Sequence, residues 1–245
     1  MFSVRRSLFD VPYLPQMSHV DLSLPSIKTE PLRPTQLAFI RHGEVEESYL
    51  RVFGGRIDMN LSPRGHEQAA ALAKWLERQQ IDAVYASPMK RVQQTLAPFA
   101  SKNGWADRAV VSENLREIDF GAWTGLSWEA VQQKFGVSAF QWLTELERGG
   151  IANAEDTRSY CGRVQSCVSE MLQKHTGRNV AVFCHGGVIR TALAFLLNVN
   201  LPKMAAFEID YASITQIALY DGHAEIELLN FTPWRDVPSD GGHSA

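Results

Sequence analysis

One stretch of the chain contains two neighbouring side chains that can carry out phosphate chemistry. It runs from Val182 to Arg190 and reads VFCHGGVIR. A thiolate at Cys184 is one possible nucleophile, because glycine and arginine follow it in the C-x-x-G-x-x-R spacing of a phosphate-binding loop. The alternative is that His185 is the working residue and that Cys184 packs in the core. In both cases the glycines lead into a helix start, whose free N–H groups bind anions, so the segment predicts a phosphate site.

A second segment, RHGE at residues 41–44, combines a cation, a nucleophile and a glycine. The planar guanidinium of Arg41 suits a phosphoryl group. A ring nitrogen of His42 is neutral near pH 7 and can attack, and Gly43 lets the backbone come close to a ligand. Taken alone, the tripeptide is equally consistent with a turn that contains arginine and histidine.

Two further residues complete the candidate chemistry. Arg91 falls in the first turn of a helix predicted to start at Pro88, where a cation opposes the helix dipole unless an anion lies between them. An exposed arginine would carry no such meaning. Glu117, in REIDFG, can protonate a leaving oxygen and then activate water. Its alternative is a surface acid paired with Arg116.

The elements around these segments predict an α/β fold. Short apolar runs such as LAFI and NVAVFC alternate with helical patterns, which favours a mostly parallel sheet covered by helices on both faces. Ser62 and Pro63, and again Ser87 and Pro88, are typical of helix starts. Asp156 is predicted to cap a later helix that stops near Gly177.

The C-terminal part of this pattern predicts a hairpin around Asp221-Gly222, which adds at least one antiparallel strand. Ligands bind such sheets at the carboxyl ends of the strands. The four reactive segments follow these ends or lie close to them, so we expect them to converge on one site.

Composition excludes several other functions. The 24 basic and 27 acidic residues give a net charge of −3, and no basic run or stripe indicates a nucleic-acid or membrane partner. The three cysteines form no C-x-x-C pair, which favours reduced thiols in a cytoplasmic protein over disulfides or a zinc site. No apolar run has the length of a membrane span.

The chain divides into three predicted regions. Residues 1–35 are rich in proline and lack a sustained period, which predicts a mobile N-terminal arm. Residues 36–235 are predicted to form the catalytic domain, and residues 236–245 a mobile C-terminal tail. Within the domain, the tryptophans of a Trp-rich helical region either line a lid over the site or pack in the core, and packing is the commoner role of so large a side chain; they are Trp123, Trp128 and Trp142.

Five ordered blocks of the chain resemble the histidine phosphatase superfamily, also called the phosphoglycerate mutase-like family. They are RHGE (41–44), GRIDMNLSPRGHEQA (55–69), YASPMKRVQQT (85–95), LREIDFGAWTG (115–125) and CHGGVIR (184–190). The resemblance covers about Gln36 to Phe231. It implies a three-layer α/β/α sandwich and a phosphohistidine intermediate.

The resemblance also implies a role for each candidate residue. His42 matches the nucleophile, Glu117 matches the proton donor, and Gly43 matches the glycine beside the nucleophile. The residues that hold the phosphoryl oxygens correspond to Arg41, Arg91 and His185. The N–H of Gly186, at the helix start after His185, is a further predicted contact to substrate.

The histidine interpretation accounts for four loops, whereas the cysteine interpretation accounts for one. The histidine that usually precedes the nucleophile of cysteine phosphatases is replaced here by Phe183. The chain also departs from the histidine phosphatase pattern at Val45 and Ser48, where members often carry threonine and then asparagine. Ser48 can still donate a hydrogen bond, so we include it among the substrate-binding residues.

Two short family motifs are also altered, since the chain has Trp123-Thr124-Gly125 for W-E-G and Ala154-Glu155-Asp156 for G-E-S. These departures concern substrate recognition rather than the core chemistry.

The function expected from the sequence is hydrolysis of a phosphomonoester without a metal ion or other cofactor, because arginines supply the positive charge. The substrate is a small phosphorylated metabolite or a phosphoprotein. A cofactor-dependent phosphoglycerate-type mutase is the first alternative, although those mutases carry a longer insertion between the REI and HGG blocks, a region that is compact here. A non-catalytic module that binds a phosphate ligand is the second.

Overall fold

The computed structural model describes residues 33–237. The predicted arm and tail lie largely outside this range, so those two predictions are not addressed by the structure. The described chain forms six β-strands: β1 (Thr35–Arg41), β2 (Ala83–Ala86), β3 (Val110–Val111), β4 (Asn179–Cys184), β5 (Ile214–Tyr220) and β6 (His223–Phe231). Its α-helices are α1 (Pro63–Leu76), α2 (Lys90–Asn103), α3 (Trp128–Phe135), α4 (Trp142–Glu147), α5 (Thr157–Lys174), α6 (Gly186–Leu196) and α7 (Pro233–Asp236).

The six strands form one mixed sheet in the order β3-β2-β4-β1-β5-β6. Strands β3, β2, β4 and β1 are parallel to one another. Strand β5 runs antiparallel to both of its neighbours, β1 and β6. The predicted α/β fold with a mostly parallel sheet and an antiparallel strand is therefore confirmed.

Helices cover both faces of the sheet, as the alternation of buried side chains in the strands requires. On β1, Leu37 and Phe39 point to one face and pack with apolar residues of α5 and α6. Ile40 points to the other face and packs with residues of α1 and α2. The sheet is thus buried on both sides, in the three layers expected of this architecture.

Helix starts follow the local signals in two of three cases. Ser62 caps α1 by accepting a hydrogen bond from the N–H of Gly65, and Asp156 caps α5. The predicted start at Ser87-Pro88 is wrong, because α2 begins at Lys90, and it is Asp58, from the loop that precedes α1, that accepts from the N–H of Lys90 at 2.8 Å. The Ser87 hydroxyl lies instead against a histidine ring of the candidate site.

The hairpin is confirmed, with Gly222 at φ +90° between β5 and β6. This backbone angle favours glycine because it has no Cβ. Among residues 33–237, no helix is both long and apolar enough to cross a membrane.

Candidate active site

The carboxyl ends of β1, β2 and β4 bring the predicted residues together. The backbone N–H of His42 donates to the carbonyl oxygen of Cys184 at 3.1 Å, and that of Ser87 donates to Phe183 at 2.9 Å. A cavity of about 340 Å³ opens above these ends, and Arg41, His42, Arg91, Glu117 and Gly186 line it. Its volume lies in the usual range of small-molecule sites, about 300–1,000 Å³.

We use the term cavity floor for Arg41, His42, Arg91 and His185. The rings of His42 and His185 lie edge to face with their centroids 5.3 Å apart. His42 is 7% exposed, Arg91 is 2% exposed and His185 is fully buried. The floor is therefore a compact group of cations and imidazoles drawn from three segments: the end of β1 with the residue after it, the first turn of α2, and the residue before α6.

The tautomer of His42 follows from its hydrogen bonds. Nδ1 lies 2.8 Å from the carbonyl oxygen of Gly43, and a carbonyl can only accept, so Nδ1 carries the proton. Nε2 is then the nitrogen with the free electron pair, and it accepts a hydrogen bond from Nε of Arg91 at 3.2 Å. Burial, followed by the charges of Arg91 and Arg41, holds the His42 pKa well below its ordinary value, so the ring stays neutral.

Arg91 is oriented by the main chain of the loop that precedes α1. Its Nη1 donates to the carbonyl oxygen of Ile57 at 2.8 Å and its Nη2 donates to that of Gly55 at 3.0 Å. Burial lowers the Arg91 pKa to about 10, which still leaves the guanidinium charged at neutral pH. Arg91 is thus a fixed cation whose remaining donor points at the His42 ring.

Besides Arg91, the cavity contains a pair of arginines, Arg41 and Arg190. Arg190 was not predicted as a site residue. Arg190 lines the cavity, and it donates to the carbonyl oxygens of Gly186 at 3.2 Å and Phe207 at 2.9 Å. Arg41 donates to Ile209 and stacks on Tyr211 at 4.1 Å. The position of Arg190 at the end of CHGGVIR was the signal that could have identified it, but only the cysteine interpretation gave this arginine a role.

Each of these two arginines also has one buried N–H donor that is unsatisfied within residues 33–237. The Nε atoms of Arg41 and Arg190 have no hydrogen-bond partner within the described chain. Burial, with the nearby charge of Arg41, lowers the Arg190 pKa to about 10. Two desolvated cations with unsatisfied donors favour an anion between them.

His185 lies directly behind His42 and is paired with Ser87, another residue that sequence reasoning missed as part of the site. Its Nε2 lies 2.8 Å from the Ser87 hydroxyl, and its buried Nδ1 has no partner among residues 33–237. Burial, with the charges of Arg91 and His42, holds the His185 pKa well below its ordinary value. The unsatisfied Nδ1 is a third polar atom of this region that a phosphoryl group could satisfy.

Glu117 reaches the cavity from the loop after β3. One carboxylate oxygen accepts from the N–H of Gly187 at 3.1 Å, and the other accepts from the N–H of Ile118 at 3.0 Å. The alternative of a surface pair with Arg116 is not what the structure contains, because Arg116 is bonded to Glu113. A Cβ at position 187 would lie 2.4 Å from Oε1 of Glu117, so only glycine permits this approach.

The loop that carries Glu117 is itself held by Arg163 of α5, which sequence reasoning missed. Arg163 donates to the carbonyl oxygens of Asn114 at 2.8 Å and Arg116 at 2.7 Å, and more weakly to that of Glu117 at 3.3 Å. It also forms a mostly buried ion pair with Glu155 at 2.7 Å. One mostly buried guanidinium therefore binds the carbonyl groups of three residues of this loop.

The remaining predicted substrate contacts differ in their placement. Gly43 is buried, and a Cβ there would lie 2.7 Å from the carbonyl oxygen of Gly65, so its glycine is also required by packing. Gly186 lines the cavity beside Arg190. Ser48 is exposed in the short 3-10 helix Glu47–Tyr49, and the neighbouring Tyr49 lines the cavity. A contact between Ser48 and substrate remains a prediction.

The tryptophans divide between the two alternatives. Trp123 is 1% exposed and belongs to the core, whereas Trp128 and Trp142 are half-buried and line the cavity. Cys184, by contrast, is fully buried in β4, and burial raises its pKa well above the ordinary value. A thiol that stays protonated is a poor nucleophile.

Within residues 33–237, no cluster of three or more histidine, cysteine, aspartate or glutamate side chains could hold a metal ion. The positive charge at the site comes from Arg41, Arg91 and Arg190.

Comparison with known proteins identifies the family to which the chain is similar. Residues 37–232 match the sequence model of the histidine phosphatase superfamily (branch 1). Phosphoserine phosphatase 1 from Hydrogenobacter thermophilus is 30% identical over 197 residues, which cover 80% of this chain and 92% of that protein. The 2,3-bisphosphoglycerate-dependent phosphoglycerate mutase of Cytophaga hutchinsonii is 27% identical over 200 residues, covering 78% and 90%.

Among solved structures, a mycobacterial glucosyl-3-phosphoglycerate phosphatase superposes with a TM-score of 0.71. It is 23% identical, and the match covers 80% of this chain and 98% of that one. At this identity the likeness concerns the fold.

Proposed function

The chain belongs to the histidine phosphatase superfamily and is a phosphatase, and we propose that it hydrolyses phosphomonoesters through a phosphohistidine formed on His42. One observation carries this proposal: the unprotonated Nε2 of His42 accepts a hydrogen bond from the buried Arg91, in a cavity that is also lined by the partly buried Arg41 and Arg190, whose Nε donors are unsatisfied in the described part of the chain. A nucleophile surrounded by desolvated cations suits attack on a phosphoryl dianion.

In the first step, Nε2 of His42 attacks phosphorus and the bond from phosphorus to the ester oxygen breaks. Nδ1 keeps its proton on the Gly43 carbonyl, which orients the ring and delocalises the developing positive charge. The incoming phosphoryl group takes over the Arg91 Nε donor that occupies the electron pair of Nε2 in the free enzyme.

The phosphoryl oxygens are held by Arg41, Arg91 and His185, with Arg190 behind Arg41. Arg41 Nε and His185 Nδ1 lack partners in the described residues, so bound oxygens replace missing hydrogen bonds rather than existing ones. Charge that builds up on the phosphoryl group is neutralised by guanidinium groups already in place, without a metal ion. The N–H of Gly186, at the start of α6, adds a further donor.

Glu117 gives its proton to the departing alkoxide and later removes one from water. That water attacks phosphorus, the bond to His42 breaks, and inorganic phosphate leaves. The N–H groups of Gly187 and Ile118 hold the carboxylate in one position through both steps. Proton transfer of this kind contributes about 10²–10⁴-fold to rate.

The relatives named above act on phosphorylated small molecules, which supports such a substrate for this chain. We further propose that residues 36–235 form the catalytic domain and that the protein is cytoplasmic. The matched range 37–232 supports the first statement. All three cysteines, Cys161, Cys167 and Cys184, are unpaired, as is usual in a reducing compartment.

The test is to replace each candidate nucleophile and measure phosphate release from a panel of phosphomonoesters. We expect His42→Ala to lower kcat by about 10³–10⁴-fold, whereas Cys184→Ala retains activity near that of the wild type. Substrate labelled with ³²P should leave an adduct on the wild type that is labile in acid and stable in base. An adduct on sulfur, or a His42→Ala variant with near-normal turnover, would refute the mechanism.

Two alternatives have distinct outcomes. A phosphoglycerate-type mutase would exchange 2- and 3-phosphoglycerate when primed with a bisphosphoglycerate, and the similarity to the Cytophaga enzyme makes this worth measuring. A non-catalytic module would bind phosphate ligands and hydrolyse none of the panel. The intact set of nucleophile, arginines and acid favours hydrolysis over binding alone.

A further inference from the structure

The outer part of the cavity has a different chemistry from its floor. We define the aromatic wall as Phe53, Phe120, Trp128, Phe140 and Trp142, all of which line the cavity. Phe53 contacts Phe120 with ring centroids 5.1 Å apart, and Phe120 contacts Trp142 at 5.4 Å. Trp128 contacts Phe140 at 5.8 Å. Phe53 and Phe120 are buried, whereas Trp128 and Trp142 are half-buried and Phe140 is exposed, so these outer three side chains have ring surface that can meet another flat group.

The exposure of Phe140 indicates that the aromatic wall binds a ligand. It is 74% exposed, the largest value among the exposed apolar side chains of the described chain. Its turn is closed by a capping box, in which the Gln141 side chain accepts from the N–H of Ser138 and the Ser138 hydroxyl accepts from the N–H of Phe140, both at 3.4 Å. An apolar ring that is exposed at a cavity is stabilised when a ligand covers it.

The charged residues of the cavity outside the floor do not favour an additional anion. Arg51 also lines the cavity, but it pairs with Glu129 at 3.2 Å and lies over the Trp128 ring at 5.1 Å. Of the acids, Glu208 is exposed at the cavity, whereas Asp210 is bonded to Arg235. The other cavity arginines belong to the phosphoryl end, where the ester phosphate itself needs them.

We propose that the enzyme prefers phosphomonoesters whose alcohol carries a planar aromatic ring and no additional anionic group. This inference rests on the proposed function and assigns the part of the substrate that the function leaves open. With the phosphoryl group on the cavity floor, the ring of the alcohol stacks against the aromatic wall. A second carboxylate or phosphate in the cavity would be repelled by the carboxylate of Glu208, and Arg51 is already paired with Glu129.

The test compares substrates that share a primary alkyl leaving group. These are 2-(1-naphthyl)ethyl phosphate, n-butyl phosphate and 3-phosphoglycerate, because aryl phosphates would react faster for purely chemical reasons. We expect kcat/KM for the naphthyl substrate to exceed that for butyl phosphate by about 10-fold or more, from stacking and apolar burial. We expect 3-phosphoglycerate to be the poorest of the three.

Two exposed phenylalanines provide the variant and its control. Phe140→Ala should lower kcat/KM for the naphthyl substrate by about 3- to 10-fold and for butyl phosphate by less than about 2-fold. Phe135→Ala, at a second exposed phenylalanine that does not line the cavity, should leave the ratio of the two substrates unchanged. An equal loss on both substrates, or a preference for 3-phosphoglycerate, overturns the proposal.

Binding separates this inference from the proposed function. The corresponding phosphonates cannot be hydrolysed, and calorimetry gives their dissociation constants for the wild type and for Phe140→Ala. Tighter binding of the naphthyl than of the butyl phosphonate, reduced by the substitution, supports the aromatic preference even if no ester is hydrolysed. Equal binding of both phosphonates overturns it even if every ester is a substrate.

Discussion

The cavity floor and the aromatic wall are built in different ways. On the floor, Arg91 is tied to two carbonyl oxygens and to His42, whose ring is in turn tied to a third carbonyl. In the aromatic wall, Trp128 and Phe140 contact each other's rings and belong to short helical segments between β3 and α5. Arg91 is 2% exposed and Phe140 is 74% exposed, although Phe53 and Phe120 at the inner end of the aromatic wall are buried.

This difference teaches where substitutions are tolerated. A buried cation tied to fixed carbonyls cannot be moved without leaving charges and donors unsatisfied, which costs several kcal/mol. An exposed ring that packs against another ring is replaced at the cost of about 1 kcal/mol of contact energy. In the function proposed above, the floor carries the reaction, and the exposed part of the aromatic wall can change with the substrate.

The largest effect is expected on the floor, at Arg91. Arg91→Ala removes a phosphoryl donor, and we expect kcat/KM to fall by about 10³-fold. Arg91→Lys should recover little of this loss, because one ammonium cannot replace three differently directed donors. Steady-state kinetics with butyl phosphate measures both variants, and a loss below about 10-fold for Arg91→Ala would contradict the role of a rigid floor.

The next largest effect is expected at Gly187, which has no side chain but contacts Glu117. Gly187→Ala places a methyl group against Oε1 of Glu117, so we expect kcat to fall by about 10²-fold. If the methyl group acts by displacing the carboxylate, Glu117→Ala combined with Gly187→Ala should be no slower than Glu117→Ala alone. Fully additive losses in this double-mutant cycle would show that Gly187 acts in another way.

The neutral histidines of the floor predict a pH dependence of stability. His42 and His185 have pKa values held well below 6.5 in the folded state, chiefly by burial, whereas the unfolded chain binds protons near pH 6.5. The unfolded state therefore takes up more protons as the pH falls below 6.5, and the free energy of unfolding decreases. We expect the two histidines together to remove about 2.7 kcal/mol between pH 7.5 and 5.5.

Urea unfolding at both pH values measures this change. The double variant His42→Asn with His185→Asn should lose correspondingly less stability on acidification than the wild type. His66→Asn, at an exposed histidine, is the control and should behave as the wild type does. Equal pH dependence in the double variant would mean that the two rings take up protons as readily in the folded state as in the unfolded chain.

The smallest of these effects is expected at Arg163, which supports the loop between the two regions. This loop carries Glu117 toward the floor and Phe120 into the aromatic wall. Arg163→Met should lower kcat by about 10-fold, because the loop loses the hydrogen bonds from Arg163 and Glu155 keeps only its longer ion pair with Arg56, at 3.5 Å. Arg163→Lys should recover part of the activity, and an unchanged kcat in Arg163→Met would show that the loop holds its position without the clamp.

Local features of the sequence determined most of the fold. The serine at the start of α1, the aspartate at the start of α5 and the Asp221-Gly222 turn each act within a few residues, so they can be predicted without tertiary structure. The four reactive segments could also be assigned to one sheet edge, because parallel strands end at the same side. The candidate nucleophile and acid followed from those segments and from their resemblance to one family.

Only the tertiary structure decided how those residues are connected. Arg91 meets His42 across 49 residues, Gly187 meets Glu117 across 70, and Ser87 meets His185 across 98. The sequence predicted Ser87 as a helix cap, since a cap is a local signal, but strand order places the hydroxyl beside an imidazole. Strand order likewise brings Arg190 and Arg163 into the site and divides the tryptophans between core and cavity. No local pattern records these contacts, because they depend on which strands lie side by side.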